Sequence, residues 1–302
     1  MVHDRGTLVR GSKLFDARLI DACEINATSA LRYFALASGG EVRDEQRFLL
    51  AANSHPYCGT FHNGATRTDR GLDPEVLLDQ ARDFFGARQR DFVLWLSKDT
   101  DVDLEKAARK RGMLLRKPAD GAPGMCVTTP LPAVSPPPEV RLVPVTSADQ
   151  TETFARVVAD AYSVREEPAG QSAVPAADGA VSGAAQPPEA VFALFRDPDA
   201  LVDPRVFALL AYRRGEPAAG AMLFRSGDVA GLYWVSTVPG ARRRGLADLV
   251  TRAVTNEGFA RGARVVVLQA SPMGAPLYRR MGFVEVTRHR RYVSAAAPTA
   301  GH

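Results

Sequence analysis

From Asp16 to Ser38 the apolar residues Leu19, Ile20, Cys23, Leu31 and Phe34 recur at helical spacing, which predicts one long helix. Shorter elements follow it. Arg47 to Ala52 is a brief apolar run, and Tyr57 to Thr68 reads as strand-like. Asp73 is a good N-cap before Pro74 at the first helical position, and that helix should reach about Arg88. Phe92-Val93-Leu94-Trp95-Leu96 is continuously apolar, as expected of a strand buried on both faces. Leu104 to Arg111 reads as a helix closed by Gly112-Met113.

After a proline-rich stretch the pattern resumes. Arg141 to Val145 is a strand, and Ser147 caps a helix whose stripe is Phe154, Val157, Val158 and Ala161. Glu189 to Phe195 is a short amphipathic helix. Val206 to Tyr212 and Ala218 to Phe224 form a hairpin around Arg213-Arg214-Gly215-Glu216. A third strand, Val229 to Val238, ends at Pro239-Gly240. Leu246, Leu249, Val250 and Val254 mark a helix to about Ala260, and Ala263 to Leu268 is a buried strand. Pro276 to Met281 is a short helix stopped by Gly282, with Phe283 to Val286 and Arg291 to Val293 as two closing strands. The order β-α-α-β-β-β-α-β-α-β-β predicts an α/β fold on a mixed sheet.

The stretch from Pro130 to Pro138 reads as a stiff linker. It divides the chain into residues 1–129 and 139–296, with 297–302 as a tail, as a length of 302 residues suggests at about 100–200 residues per domain. Residues 168–188 are almost all Ala, Gly, Ser, Pro and Val. They read as a loop, either a tolerated insertion or a flap over a site.

Composition narrows the class. With 46% hydrophobic and 24% charged residues, a disordered chain is excluded. No run approaches the roughly 20 apolar residues of a membrane span, and Met1 to Arg5 opens no signal peptide. Cys23, Cys58 and Cys126 are widely spaced, which excludes a disulfide framework and a CxxC zinc site. No metal and no membrane are therefore expected, and a cytoplasmic setting is the default. A net charge of +4 does not by itself imply nucleic acid, and none is expected as a partner. Arginines cluster locally at Arg242-Arg243-Arg244 and at Arg288, Arg290 and Arg291. Such clusters are solvated faces unless their context assigns them a ligand.

For the first cluster the context does so. Val238-Pro239-Gly240-Ala241-Arg242-Arg243-Arg244-Gly245-Leu246-Ala247 ends a strand, makes a basic turn and begins a helix. The first turn of a helix has unpaired N–H groups and the positive end of the dipole. The small residues Gly245 and Ala247 let a phosphate approach the backbone. The chemistry suits a pyrophosphate.

Arg242-x-x-Gly245-x-Ala247 resembles the Q/R-x-x-G-x-G/A motif of the GNAT superfamily of N-acetyltransferases, and Leu277-Tyr278-Arg279-Arg280-Met281-Gly282-Phe283 is similar to that family's L-Y-x-x-x-G-F ending. The two motifs stand in the family's order, and the resemblance spans about residues 139–294. It implies a GNAT fold for the second half, with acetyl-CoA as co-substrate and a small-molecule or peptide amine as acceptor. It further implies that Thr237 and Val238 pair with the pantetheine arm. Arg242, Arg243, Arg244, Gly245, Leu246, Ala247 and Asp248 would wrap the pyrophosphate. The strands 229–238 and 263–269 would splay around the thioester. Tyr278 would protonate the departing thiolate, the alternative being a packing role. Asp248 should point outward, because a carboxylate beside a pyrophosphate repels it.

Two departures stand out. Ser271 occupies the place of a usual Asn near the coenzyme. Strand 229–238 holds no carboxylate for a general base, which leaves Glu166, Glu167, Asp228 or no dedicated base. Tyr233 and Trp234 should face opposite sides of that strand, one in the core and the other toward the acceptor. The order helix, buried strand, short helix, Gly, hydrophobe in the first half parallels 245–283, with Arg111-Gly112-Met113 in place of Met281-Gly282-Phe283. Residues 1–129 thus read as a degenerate GNAT-like domain, structural or acceptor-side, whose turn Arg70-Gly71-Leu72-Asp73 has no basic triplet; an unrelated α/β domain is the alternative. His62 is the candidate site residue there, against a structural role. The leading expectation is an N-acetyltransferase, monomeric or homodimeric. The alternative is an acyl-CoA-binding or regulatory protein without turnover.

Overall fold

The computed structural model describes residues 13–59, 61–116, 118–163 and 186–294. Glu166, Glu167, nearly all of the 168–188 stretch and the 297–302 tail lie outside the described residues. The first half runs α1 (Lys13–Ala37), β1 (Glu41–Glu45), β2 (Phe48–Ala52), β3 (Asn63–Arg67), α2 (Pro74–Gly86), β4 (Val93–Ser97), α3 (Val102–Lys110), β5 (Leu114–Leu115) and β6 (Ala122–Val127). The second runs β7 (Val140–Pro144), α4 (Ala148–Ser163), α5 (Pro188–Leu194), β8 (Val206–Arg213), β9 (Glu216–Ser226), β10 (Val229–Thr237), α6 (Leu246–Ala260), β11 (Val265–Gln269), α7 (Ala275–Met281) and β12 (Val284–Val293).

One mixed sheet of 12 strands carries both halves, in the order β1-β2-β3-β4-β12-β6-β11-β10-β9-β8-β7, with β5 on β12. Two strand pairs in it are parallel, β3 with β4 and β10 with β11. The halves complete each other's sheet. Strand β6, from before the proline stretch, lies between β11 and β12, and β12, the last strand of the chain, pairs with β4 and β5 of the first half.

The two faces of the sheet are covered differently. Side chains alternate along each strand. Val93, Trp95, Ala208 and Leu210 point into one aromatic-rich cluster with α1, α4 and α5, which spans both halves. Leu94 and Leu96 point the other way, onto α2 and α3, and Leu209 and Ala211 onto α6. One face therefore has a core shared by both halves, and the other has two cores, each mainly of one half, with Tyr292 of β12 in the first and Met125 and Val127 of β6 in the second.

Three details depart from the sequence pattern. Phe283 to Val286 and Arg291 to Val293 are not separate strands; a single strand continues through Thr287, Arg288, His289 and Arg290. Its polar middle is paid for by partners, since Arg290 bonds Glu105 at 2.7 Å and Ser97 Oγ lies 3.0 Å from Thr287 Oγ1. Strands β1 and β6 also form without a hydrophobic alternation to announce them. The proline stretch is anchored rather than free. Leu131 exchanges two hydrogen bonds with Asn256 of α6, at 2.7 and 2.9 Å, and Arg252 donates to the Pro132 carbonyl at 3.1 Å.

Candidate active site

Strands β10 and β11 pair only from Val229 to Gly231 with Val265 to Val267. Beyond that point they part, and a gap opens toward the C-terminal end of β10. A bulge shapes its edge. Tyr233 faces Met222 and Ser236 faces Gly220, so Trp234 and Val235 together oppose Ala221. Trp234 adopts φ 53°, a left-handed conformation rare for a bulky residue. The bulge cancels the expected alternation. Both Tyr233 and Trp234 are buried on the α1 side, and both rings meet Phe34 and Phe61 at centroid distances of 5.2 to 6.1 Å. Neither lines an acceptor cleft on the opposite face. Tyr233 donates to Asn26 Oδ1 at 2.6 Å, and Asn26 in turn donates to the Phe224 carbonyl at 3.1 Å.

The gap-facing backbone follows from strand geometry. Val238 N–H bonds the Ala218 carbonyl of β9 at 3.0 Å. Successive residues of a strand turn their backbone groups to opposite sides. Thr237 therefore presents its N–H and C=O to the gap, and Val238 does not. Of the two residues expected to pair with a cofactor arm, only Thr237 turns its backbone toward the gap, and its Oγ1 is buried without a partner.

The basic turn lies at the same end of β10. Arg243 (φ 60°) and Gly245 (φ 76°) are both left-handed, which curls the backbone before α6. No side chain caps this helix; Leu249 N–H to the Gly245 carbonyl, at 3.0 Å, is its first backbone bond. The N–H groups of Leu246, Ala247 and Asp248 are thus the helix's orphan donors. Arg243, Arg244 and Gly245 are exposed there. Arg242 is placed differently, with its guanidinium bonding the Ala161 carbonyl at 3.0 Å and the Thr237 carbonyl at 3.4 Å, so it ties α4 to the end of β10. Asp248 forms an ion pair with Arg252 at 2.7 Å, which compensates the charge that would oppose a phosphate.

Two phenols bracket the gap. Tyr278 on α7 is buried, 5.8 Å from the Phe283 ring, and burial followed by the nearness of Tyr162 holds its pKa well above the ordinary value. Tyr162, at the end of α4, packs edge-on to Trp234 at 5.8 Å, and its hydroxyl meets the Val235 carbonyl at 3.5 Å. The residue as a whole is 39% exposed, but the packing around its hydroxyl desolvates it and raises its pKa to about 12. Tyr162 was not singled out by its sequence context, because an aromatic at a helix end before a low-complexity stretch carries no pattern. Ser271 Oγ accepts Gly274 N–H at 3.0 Å and its carbonyl accepts Ala275 N–H at 2.9 Å, so Ser271 initiates α7.

Other candidates lie elsewhere. Asp228 precedes the opposite end of β10, nine residues and up to about 30 Å from Thr237 at about 3.3 Å per residue, so it is no base beside Thr237. His62 is fully buried with its Nε2 2.9 Å from the Ala190 carbonyl. In the second arginine cluster, Arg288 pairs with Asp120 and Glu285, and Arg290 with Glu105. Among the described residues no group of three or more His, Cys, Asp or Glu could hold a metal, and no helix is long and apolar enough to cross a membrane.

The parallel pair of the first half shows what an occupied gap looks like. Pairing of β3 with β4 ends at Thr66 and Trp95. Directly beyond it the Arg67 guanidinium, 1% exposed, bonds Asp101 at 2.7 Å and Asp103 at 2.8 Å. The helix that follows, α2, is capped by its own Asp73, which accepts Glu75 N–H at 3.0 Å. A carboxylate already holds the place an anion would take.

Residues 176–283 match the model of the acetyltransferase (GNAT) family. No curated protein matches the sequence. Among solved structures, a GCN5-related N-acetyltransferase from Kribbella flavida is similar at 21% identity and a TM-score of 0.64, over 92% of this chain and 97% of that one. A GCN5-related N-acetyltransferase from Sphaerobacter thermophilus is similar at 16% identity and 0.53, over 91% and 92%. A tandem GNAT protein from the clavulanic acid biosynthesis pathway is similar at 15% identity and 0.53, over 84% and 80%. At these identities the structures share a fold, and that fold extends over both halves of the chain.

Proposed function

We propose, from the match of residues 176–283 to the model of the acetyltransferase (GNAT) family, that the chain is an acyltransferase that moves an acetyl group from acetyl-CoA to a primary amine by direct attack in a ternary complex. The observation that carries this reading is the coincidence, at one end of β10, of an open strand gap and an uncapped basic helix start. Residues Arg243 to Asp248 would hold the pyrophosphate by backbone N–H groups and exposed guanidiniums, and Thr237 would pair with the pantetheine arm. Ser271 stands beside the gap at the start of α7.

In the reaction the amine nitrogen bonds to the thioester carbon, the C–S bond breaks, and the proton leaving nitrogen ends on sulfur. Atoms balance without an external acid or base. A backbone N–H on β10 polarises the carbonyl. Tyr278, a neutral phenol at every working pH, donates a hydrogen bond to the departing sulfur. A phenol held that high does not give up its proton to a thiolate near 8.5 unless another replaces it. The proton released by the nitrogen supplies that replacement. Cysteine chemistry finds no support, since Cys23 and Cys126 are buried and burial pushes the Cys58 thiol up to about 11.

The first half, with its self-capped helix and filled gap, reads as a degenerate repeat that supplies structure and an acceptor-side wall. Its boundary at 1–129, the 139–296 extent of the second half, and a cytoplasmic monomer or homodimer belong to the same proposal. Calorimetry with acetyl-CoA tests it: a dissociation constant below millimolar is expected, and no binding at that level overturns it. Thioester consumption across a panel of primary amines then separates turnover from binding alone.

A further inference from the structure

Tyr162 is held at the gap by three contacts of unequal strength. Its ring is fixed against Trp234 by edge-on packing at 5.8 Å. Its backbone is fixed as well, since its carbonyl accepts Gln186 N–H at 3.3 Å. Its hydroxyl, by contrast, reaches the Val235 carbonyl at 3.5 Å, the long limit of a hydrogen bond and therefore weak. Val235 is one of the two bulged residues, and its carbonyl lies on the edge of β10 that β11 has left. An unpaired strand edge accepts an extended amide-bearing chain by backbone hydrogen bonds.

We propose that Tyr162 is a positioning residue that covers the open edge of β10 in the free protein and yields the Val235 carbonyl to an amide N–H of the acyl-donor arm. This rests on the acetyl-CoA reading above. The exchange gives the half-buried Val235 a partner for its carbonyl in both the free and the bound state. It replaces a long phenol contact by a peptide-like one. Because the phenol titrates only near 12, it remains a donor throughout the physiological range, and the exchange needs no change of protonation. The same movement changes the surroundings of the Trp234 indole, whose partners are otherwise the fixed rings of Phe34, Phe61 and Phe195.

The chain has two tryptophans, Trp95 and Trp234, so the event has an optical signature apart from activity. Acetyl-CoA is titrated into wild type and Tyr162→Phe, following binding by calorimetry and tryptophan emission in parallel. Phenylalanine keeps the ring and removes only the hydroxyl. The expected result is binding two- to fivefold tighter in Tyr162→Phe, with at least half of the emission change lost. Trp95→Phe variants of both proteins assign the change to Trp234; if Trp95→Phe does not fold, the wild-type-minus-variant difference makes the same comparison. Binding weakened more than threefold in Tyr162→Phe, or an undiminished emission change, overturns the proposal while leaving the acetyl-CoA reading intact. Failure of wild type to bind acetyl-CoA overturns both.

Discussion

The left-handed residue at the start of α6 offers a clean separation of folding from binding. Gly245 has φ 76°, and a Cβ added there meets no atom within 4 Å. The protein-side cost of Gly245→Ala is therefore conformational alone, about 1–2 kcal/mol for an L-residue held left-handed. At roughly 2–4 °C per kcal/mol for a chain of this size class, the melting temperature should fall by about 2–8 °C. Gly240, one turn earlier, has the same open space without the left-handed backbone, so Gly240→Ala should leave stability within about 1 kcal/mol of wild type. Binding should separate the two further. The added methyl of Gly245→Ala stands in the path by which a phosphate approaches the backbone N–H groups, and acetyl-CoA affinity should fall more than tenfold, about 1.4 kcal/mol or more. Thermal melts and calorimetry on the same three proteins measure both effects. If Gly245→Ala lowers stability as stated yet binds acetyl-CoA within twofold of wild type, the turn is not the phosphate site.

Tyr278→Phe should lower turnover at least tenfold with acetyl-CoA affinity changed less than threefold; unchanged turnover removes the phenol from the reaction. Gly231→Ala should cost about 3 kcal/mol or more in urea denaturation, because its Cβ would collide with Asn26 Oδ1 and the Tyr233 ring, which bond each other at 2.6 Å. A loss under about 1 kcal/mol would show that the Asn26–Tyr233 pair gives way freely. Burial, then the charge of Arg291, lowers the buried His289 to about 4, against an ordinary value of 6.5. The unfolded chain thus binds a proton from pH 6.5 downward that the folded protein refuses until about pH 4. Stability present above pH 6.5 is lost as pH falls through that window, by up to about 1.4 kcal/mol per unit and about 3 kcal/mol in all. The urea midpoint of wild type should therefore drop more steeply between pH 6.5 and 4.5 than that of His289→Asn, and parallel slopes would refute the assignment.

What the sequence disclosed and what it withheld divide along the range of the interactions involved. The strand, basic turn and helix from Val229 to Ala260 were legible because each signal is local: β-branched residues, a Pro-Gly stop, a glycine at the helix start and a 3.6-residue stripe. Strand β6 was not, since Ala122-Pro123-Gly124 discourages a strand by itself and is held in the sheet by β11 and β12 on either side. The polar middle of β12 misled for the same reason, its partners Glu105 and Ser97 being nearly 200 residues away. The bulge at Trp234 has no local signal: one extra residue turns two successive aromatics onto one face, against the alternation of a regular strand. The contrast between the halves, however, was written locally and its consequence lay unread. Asp73 before Pro74 marks a helix start, and there its own carboxylate takes the Glu75 N–H that an anion would otherwise use. Gly245 offers no side chain to cap with, so α6 keeps its donors for a ligand. Together with Arg67, whose guanidinium lies just beyond the β3–β4 pairing, that difference in capping is why the proposed phosphate site falls in the second half and not in the first.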